Sequence, residues 1–222
     1  MIYSSRLSIK RIILSLAIFC ITPGIAWGVN LLINNQTLAY MFSLNLCGTI
    51  LIIYDWNLFG IHYNRSKSNM NNAIFYSIVG IILFSLLLAL NKFIFHLNLL
   101  EPDINTTKSY GFALPAILIA YSFMHSILIN IGFKCLTDHM RIHSKELLII
   151  LVSGALFGLI YTIVFSFYLN IGFNFINLIS HYLFNAITVC ICSYLYNQSG
   201  TFFPSMVSLG IVYLIFIVSS IL

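Results

Sequence analysis

The sequence predicts an all-α protein, a polytopic bundle of about seven transmembrane helices. Hydrophobic residues make up 60% of the chain and charged residues only 7%, a composition too apolar for the surface of a water-soluble protein. Apolar runs of about 20 residues, the length that crosses a bilayer core about 30 Å thick, recur along the chain. The seven runs lie near residues 12–33, 38–57, 73–91, 111–134, 147–169, 174–196 and 204–222. Because little sequence is left between them, we expect one membrane domain over residues 1–222, with N-terminal helices in 1–110 and C-terminal helices in 111–222.

Each run is predicted as one helix and each polar segment between runs as a loop. The first run follows Arg6, Lys10 and Arg11, which resemble the charged start of a signal peptide. Its length and the lack of a small-residue cleavage pattern instead favour a retained helix. The longest predicted loops are the polar stretches 62–72, 96–111 and 134–146.

The basic residues predict the orientation of the bundle in a cell membrane. A cytoplasmic N-terminus leaves only Lys92 and Lys108 on the outer side, as the positive-inside rule requires, and an odd helix count then places Leu222 outside. The basic residues expected inside are Arg6, Lys10, Arg11, Arg65, Lys67, Lys134, Arg141 and Lys145. They are scattered over several turns and form no continuous patch, which excludes a nucleic-acid partner.

Polar side chains inside the apolar runs indicate which helix faces pack together. The sixth run has a stripe with spacings of four, four, three and four residues, which lies on one helical face: Asn177, His181, Asn185, Thr188 and Cys192. The fourth run has a similar patch: Tyr121, Ser122, His125, Ser126 and Asn130. Two interpretations stay open. The patches either hydrogen-bond helices together, at about 1 kcal/mol for each bond, or line a water-accessible pocket.

No metal site or cofactor is predicted. The five cysteines form no pair of pairs with zinc-ligand spacing. His139 and His143 could share a helical face, but only Asp138 and Glu146 lie near them. The acidic residues all fall in loops or at predicted helix ends, so no buried carboxylate is expected: Asp55, Glu101, Asp103, Asp138 and Glu146.

The C-terminal half contains an ordered series of short motifs. "INIGFKCL" (129–136) precedes "SGALFGLIY" (153–161), then "CSYLYNQSGTFFPS" (192–205) and a final apolar run. This series resembles the CAAX-protease and bacteriocin-processing (CPBP) family of intramembrane proteases. Members of the family typically have Glu-Glu-x-x-x-Arg, then Phe-x-x-x-His, and His-x-x-x-Asn on a last helix. The resemblance implies a membrane cavity in which a carboxylate activates water for peptide hydrolysis.

The first two motif positions depart from the family pattern. The first aligns as Ile129-Asn130-x-x-x-Lys134, so both carboxylates are replaced and the arginine is a lysine. The second aligns as Phe157-x-x-x-Tyr161, with a phenol in place of the imidazole. A phenol with a pKa near 10 is not a base at neutral pH.

The third motif is also replaced, since its positions fall on Leu209 and Tyr213. His181 and Asn185 do match His-x-x-x-Asn, but they lie one predicted helix too early. No residue is therefore predicted to be catalytic.

The function implied by this resemblance is a scaffold rather than an enzyme. The segments "IGFKCL" and "GLIYTIVFS" are similar to the non-proteolytic, lysostaphin-resistance branch of the family. That branch is understood to hold membrane-anchored partners such as a cell-wall hydrolase and to modulate sensor kinases. We expect a former active-site cavity, now packed or partner-binding, to be lined by His125, Asn130, Tyr161, His181 and Asn185.

Two other functions stay open. The first is a divergent CPBP endopeptidase for peptide or bacteriocin processing or self-immunity, the one case in which zinc is considered as a cofactor. The second, weaker interpretation is a small transporter, for which matched broken helices and a buried ion-binding carboxylate are missing.

Overall fold

The computed structural model describes residues 9–95, 97, 114–133, 146–166 and 175–221, and these ranges are helical apart from short turns. Their α-helices are α1 (Ile9–Ile33), α2 (Gln36–Tyr54), α3 (Trp56–Ser68), α4 (Met70–Leu90), α5 (Leu114–Ile127), α6 (Glu146–Ser166), α7 (Phe175–Ser199) and α8 (Phe203–Ile221). Short π-helical segments, Asn91–Phe95 and Leu128–Phe133, continue α4 and α5.

Four of the described helices are long and apolar enough to cross a membrane: α1, α4 with its π-helical extension, α6 and α7. The pair α2 and α3 makes a fifth candidate if the two count as one bent span. The apolar parts of α5 and α8, Leu118–Ile131 and Phe203–Val218, are shorter. The predicted all-α fold is confirmed for the described residues, which include four or five helices that could cross a membrane, while the number of seven crossings stays a prediction.

Large apolar side chains cover the outside of these helices. Ile82 of α4, Leu151 of α6 and Ile215 of α8 each expose more than half of their surface. A soluble protein rarely leaves contiguous apolar surface of this kind uncovered, whereas lipid tails solvate it without cost. The exposed residues are therefore those expected to face lipid.

The centre of the bundle is formed by α5 and α8, which run antiparallel. The Ser126 hydroxyl donates to the Met206 carbonyl at 2.7 Å, and the Phe123 ring lies against Gly210, where a Cβ would approach within 2.8 Å. Helix α8 also packs against α4 and α7, and α5 packs against α2. Both central helices are thus covered on several sides and bury polar groups away from lipid.

Two glycines let α6 and α7 approach closely. Gly154 and Gly158 are one turn apart on α6, and a Cβ at Gly158 would lie only 2.7 Å from the Tyr182 carbonyl oxygen of α7. A Cβ at Gly154 would collide with Cys190 and Ala186. This small-xxx-small pattern is typical of transmembrane helix pairs, whose stability comes from backbone packing.

The predicted loop at residues 62–72 is wrong. Residues up to Ser68 belong to α3, and α4 begins at Met70. Helix α3 turns by 81° from α2, and its apolar side chains pack on a distant part of the chain: the Phe59 ring lies 5.5 Å from that of Phe202. Polar composition alone made this segment look like a loop.

The expectation of no buried carboxylate is also wrong for Asp55, at the corner between α2 and α3. Asp55 does lie at a helix end, but its side chain is fully buried. Arg11 Nε lies 2.6 Å from Asp55 Oδ1, and the Ser15 hydroxyl donates to Oδ2 at 3.2 Å. The first turns of α1 cover the corner and supply the countercharge that a buried carboxylate needs.

The turn between α7 and α8 follows from its sequence. Gly200 has a φ of +73°, and its N–H donates to the Tyr196 carbonyl at 2.7 Å, which is the usual left-handed ending of a helix. The hydroxyls of Ser66 and Thr201 lie 2.8 Å apart. This contact places α3 on the same side of the bundle as the α7–α8 turn.

Candidate functional site

Buried and half-buried aromatic side chains from four helices meet in the bundle. We call this group the tyrosine–histidine cluster; its members are Tyr40 of α2, Tyr121 and His125 of α5, Tyr161 of α6 and Tyr213 of α8. Two of the predicted cavity-lining residues, His125 and Tyr161, belong to it. Two aligned motif positions, Tyr161 and Tyr213, are also members.

Tyr40 joins the two sides of the cluster. Its hydroxyl lies 3.3 Å from that of Tyr161, and its ring centroid lies 6.3 Å from both His125 and Tyr121. Tyr40 is not predicted from the sequence, because it lies 121 residues from Tyr161 and no local pattern links the two. The same run contains Ser43, Asn45 and Thr49, so nothing in the sequence distinguishes Tyr40 from them.

His125 is held between aromatic rings. Its imidazole stacks on Tyr213, with ring centroids 4.8 Å apart and planes 9° from parallel. The side chain is about nine-tenths buried, and its Nε2 has no hydrogen-bond partner among the described residues. The ring therefore packs as an aromatic surface and presents one nitrogen to the buried interior.

Asn130 lies at the centre of a second group, the serine–asparagine network, which comprises Ser126, Asn130, Ser205 and the Met206 carbonyl. The Asn130 amide donates to the Ser126 carbonyl at 2.9 Å, and its Oδ1 accepts from the Ser205 hydroxyl at 2.5 Å. Ser126 donates to Met206. Two bonds therefore cross from α5 to α8, where no water competes for them.

His181 and Asn185 occupy a different part of the bundle. The Asn185 amide donates to the His181 carbonyl at 2.8 Å, one turn back on the same helix. Thr188 likewise donates to the Phe184 carbonyl at 2.9 Å. The His181 side chain is partly exposed and makes no hydrogen bond or ring contact within the ranges listed above. Asn185 and Thr188 thus bond to their own helix, while Thr188 also lines a small cavity that Tyr213 of the tyrosine–histidine cluster lines.

Asn130→Leu is expected to destabilise the protein by about 1–2 kcal/mol, since it removes the bond to Ser205 and leaves that hydroxyl without this partner in the membrane interior. Asn185→Leu is the matched control and should cost less, because only a bond within α7 is lost. The purified variants are unfolded by increasing mole fractions of sodium dodecyl sulfate, which measures the loss of stability of each. Equal losses would show that the bond between helices contributes nothing extra.

Leu209 and Tyr213, the third aligned motif, line the same small cavity. Its volume is about 10 Å³, enough for about one water molecule. The lining residues are Phe84, Leu87, Leu88, Phe184, Thr188, Leu209, Val212 and Tyr213. The cavity is almost wholly apolar, and Tyr213 separates it from His125.

The described residues offer little to a catalytic metal or an activated water. Their acidic side chains are Asp55, paired with Arg11, and Glu146 at the start of α6. Within them no three His, Cys, Asp or Glu side chains come together, so they do not supply the three or four ligands that zinc requires. Some residues singled out above lie outside the described ranges: Lys134, Glu101, Asp103, Asp138, His139 and His143.

The site that these contacts build is a packed, buried cluster of phenol, imidazole and amide groups. The tyrosine–histidine cluster joins α2, α5 and α8 through ring contacts and α2 to α6 through the Tyr40 and Tyr161 hydroxyls. The serine–asparagine network connects α5 to α8. Such an arrangement can fix helices or accept a hydrogen bond at His125. Comparison of the chain with protein-family models, with curated proteins and with solved structures finds no match, so the resemblance stated from the motifs remains a prediction.

Proposed function

We propose that this protein is a catalytically inactive, CPBP-like membrane protein that acts as a scaffold or regulator of a membrane or cell-envelope partner, such as a cell-wall hydrolase or a sensor kinase. The proposal depends on the residues that stand at the aligned positions of the family's catalytic motifs. Asn130, Tyr161 and Tyr213 are engaged with neighbouring side chains, so they act as packing groups.

A protease needs a base within hydrogen-bond reach of a water and room for a peptide. The Tyr161 hydroxyl is committed to Tyr40, and the cavity beside Tyr213 holds about one water. Ligand sites are usually about 300–1,000 Å³ in volume. These features favour a site whose work is to hold helices in position while partners bind elsewhere.

The proposed topology has seven crossings, a cytoplasmic N-terminus and an external C-terminus. Support comes from the basic residues at one end of the bundle. The Arg11–Asp55 pair brings the start of α1 to the start of α3, and the last turn of α3 contains Arg65 and Lys67. Lys92 follows the far end of α4. This asymmetry is the one that the positive-inside rule associates with the cytoplasmic side.

The scaffold function is tested by photo-cross-linking in native membranes. A benzophenone amino acid replaces one lipid-facing residue at a time, Ile13 on α1, Ile82 on α4 and Ile163 on α6, all more than half exposed. We expect a discrete protein adduct from at least one helix and lipid adducts from the others. The same probe at fully buried Phe157 should give no adduct with another protein. Lipid adducts alone at every exposed position would contradict the scaffold.

The alternative is a divergent intramembrane endopeptidase for peptide or bacteriocin processing. It is favoured by one observation, the buried Nε2 of His125 without a partner among the described residues. Protein in lipid vesicles would be incubated with transmembrane peptides, and cleavage followed by mass spectrometry. Cleavage that His125→Ala abolishes and His181→Ala retains would support the peptidase and overturn the proposal of inactivity. Absence of cleavage in the unaltered protein would reject the peptidase.

A further inference from the structure

Helix α3 leaves α2 at an angle of 81°. Helix α2 is apolar and packs on α1, a candidate membrane span, and on α5. We take α2 as the part of the bent pair that crosses the membrane, and a helix at 81° to it then runs near the membrane plane. Its 13 residues mix aromatic, amide, hydroxyl and basic side chains. A composition of this kind suits the headgroup region, where amphipathic helices lie, better than the hydrocarbon core.

The two faces of α3 differ in what they contact. The inner face packs on the turn before α8: the His62 ring lies 4.7 Å from Phe202, and the Phe59 ring lies 5.1 Å from Phe203. Leu58, also on this side, is buried. This packing fixes the rotation of α3 about its own axis and therefore decides which residues point outward.

The exposed side of α3 has an aromatic and basic stripe, in which the Tyr63 ring also lies 6.1 Å from that of Phe203. Trp56 and Tyr63 expose 66% and 54% of their surface, and Lys67 is exposed as well. Spacings of seven and four residues place these three on one side of the helix. Tryptophan and tyrosine are the residues enriched where a membrane meets water, because their rings are amphipathic.

Basic charge accumulates at this end of the bundle. Helix α3 contains no acidic residue, and its last turn contains Arg65 and Lys67. Lys10 is exposed at the start of α1, and the ion pair from Arg11 to Asp55 attaches α1 to the residue that precedes α3. Asp55 itself is buried against Arg11 and Ser15, so its charge is balanced by Arg11.

We infer that α3 is an interfacial helix that binds the headgroups of anionic phospholipids, with Trp56 and Tyr63 at the level of the headgroups and Lys67 on the lipid phosphate. The aromatic stripe and the 81° turn indicate that α3 lies among lipid headgroups. Its positive charge favours the anionic ones. The inference is independent of the scaffold function, since it concerns the lipid that surrounds the protein.

The depth of α3 is tested with a single tryptophan. The chain has two, Trp27 and Trp56, so Trp27→Phe leaves Trp56 as the only reporter in full-length protein reconstituted in vesicles. Lipids brominated near the headgroup should quench the fluorescence of Trp56 more strongly than lipids brominated near the end of the acyl chain. Stronger quenching by the deep label would indicate a re-entrant segment and overturn the inference. Quenching by aqueous iodide alone, or by neither label, would also overturn it.

The preference for anionic lipid is tested in the same variant. Two sets of mixed vesicles are compared, one in which phosphatidylglycerol is brominated and one in which phosphatidylcholine is. The ratio of Trp56 fluorescence quenching in the two sets gives the relative affinity of the two lipids for the site beside Trp56. We expect phosphatidylglycerol to be favoured several-fold, with Lys67→Gln lowering the preference by about fivefold and high salt lowering it further.

Trp27 provides the internal control for lipid preference. Trp56→Phe leaves Trp27, which is also exposed and lies 16 residues beyond Arg11 on α1, about 24 Å along the helix. Its quenching ratio should be unaffected by Lys67→Gln. Equal ratios at Trp56 for the two lipids, or a Lys67→Gln effect of the same size at Trp27, would overturn the anionic headgroup site.

Discussion

Arg11→Met is expected to destabilise the protein by about 3 kcal/mol, because it leaves the fully buried Asp55 carboxylate without its countercharge. The expected loss is at the low end for a buried ion pair, since 28% of the Arg11 side chain remains exposed to solvent. Arg11 also donates to the Tyr54 carbonyl at 3.3 Å, so the substitution should loosen the corner between α2 and α3. Denaturation in sodium dodecyl sulfate measures the free energy of unfolding.

Lys10→Met is the matched control for this prediction. Lys10 is the adjacent residue with the same charge, but it is exposed, and its substitution should change stability by less than about 0.5 kcal/mol. The double variant Arg11→Met/Asp55→Leu should recover much of the stability, because no buried charge remains. If Arg11→Met behaved like Lys10→Met, the ion pair would contribute nothing to the fold.

Gly158→Leu is expected to separate α6 from α7 and to cost about 3 kcal/mol or more. A Cβ at this position would meet the Tyr182 carbonyl oxygen at 2.7 Å and the Ala186 Cβ at 3.0 Å. The first of these atoms belongs to the backbone of α7, so it cannot move aside as the end of a side chain would. The loss is measured by the same detergent titration, together with the yield of protein that survives extraction in mild detergent.

Gly24→Leu is the control for a leucine in a membrane helix. No atom lies within 4 Å of a Cβ at Gly24, which is exposed on α1. The change should be neutral or slightly stabilising, because glycine is the poorer helix former by up to about 1 kcal/mol. Similar losses at Gly24 and Gly158 would mean that close helix approach is not what Gly158 provides.

The fold was largely predictable because membrane helices have a local signal. Each of the seven apolar runs contains one described α-helix, since an uncharged run of about 20 residues has no other stable arrangement in lipid. Helix α3 could not be found in this way. Its inner face is completed by Phe202 and Phe203, which are far away in sequence, so its polar residues alone indicated a loop.

The candidate site was predictable only in part, for the same reason. The polar patch on the fourth run did identify His125 and Asn130 as buried, and Asn130 does bond to Ser205 on the last helix. Tyr40 and the burial of Asp55 depend on contacts with residues 121 and 44 positions away. The periodicity of one helix shows which face is polar, but it does not show which neighbour that face meets, as the self-bonded stripe on α7 demonstrates.

The central position of α8 bears on how the protein is made. Among the described helices α8 is synthesised last, yet it fills the space between α4, α5 and α7 and completes the bonds of Asn130 and Ser126. Until the ribosome has delivered α8, those groups on α5 lack these bonds inside the membrane. Assembly of the bundle must therefore finish after the translocon has inserted its earlier helices, and an interrupted chain would display the polar edge of α5 to membrane quality-control proteases.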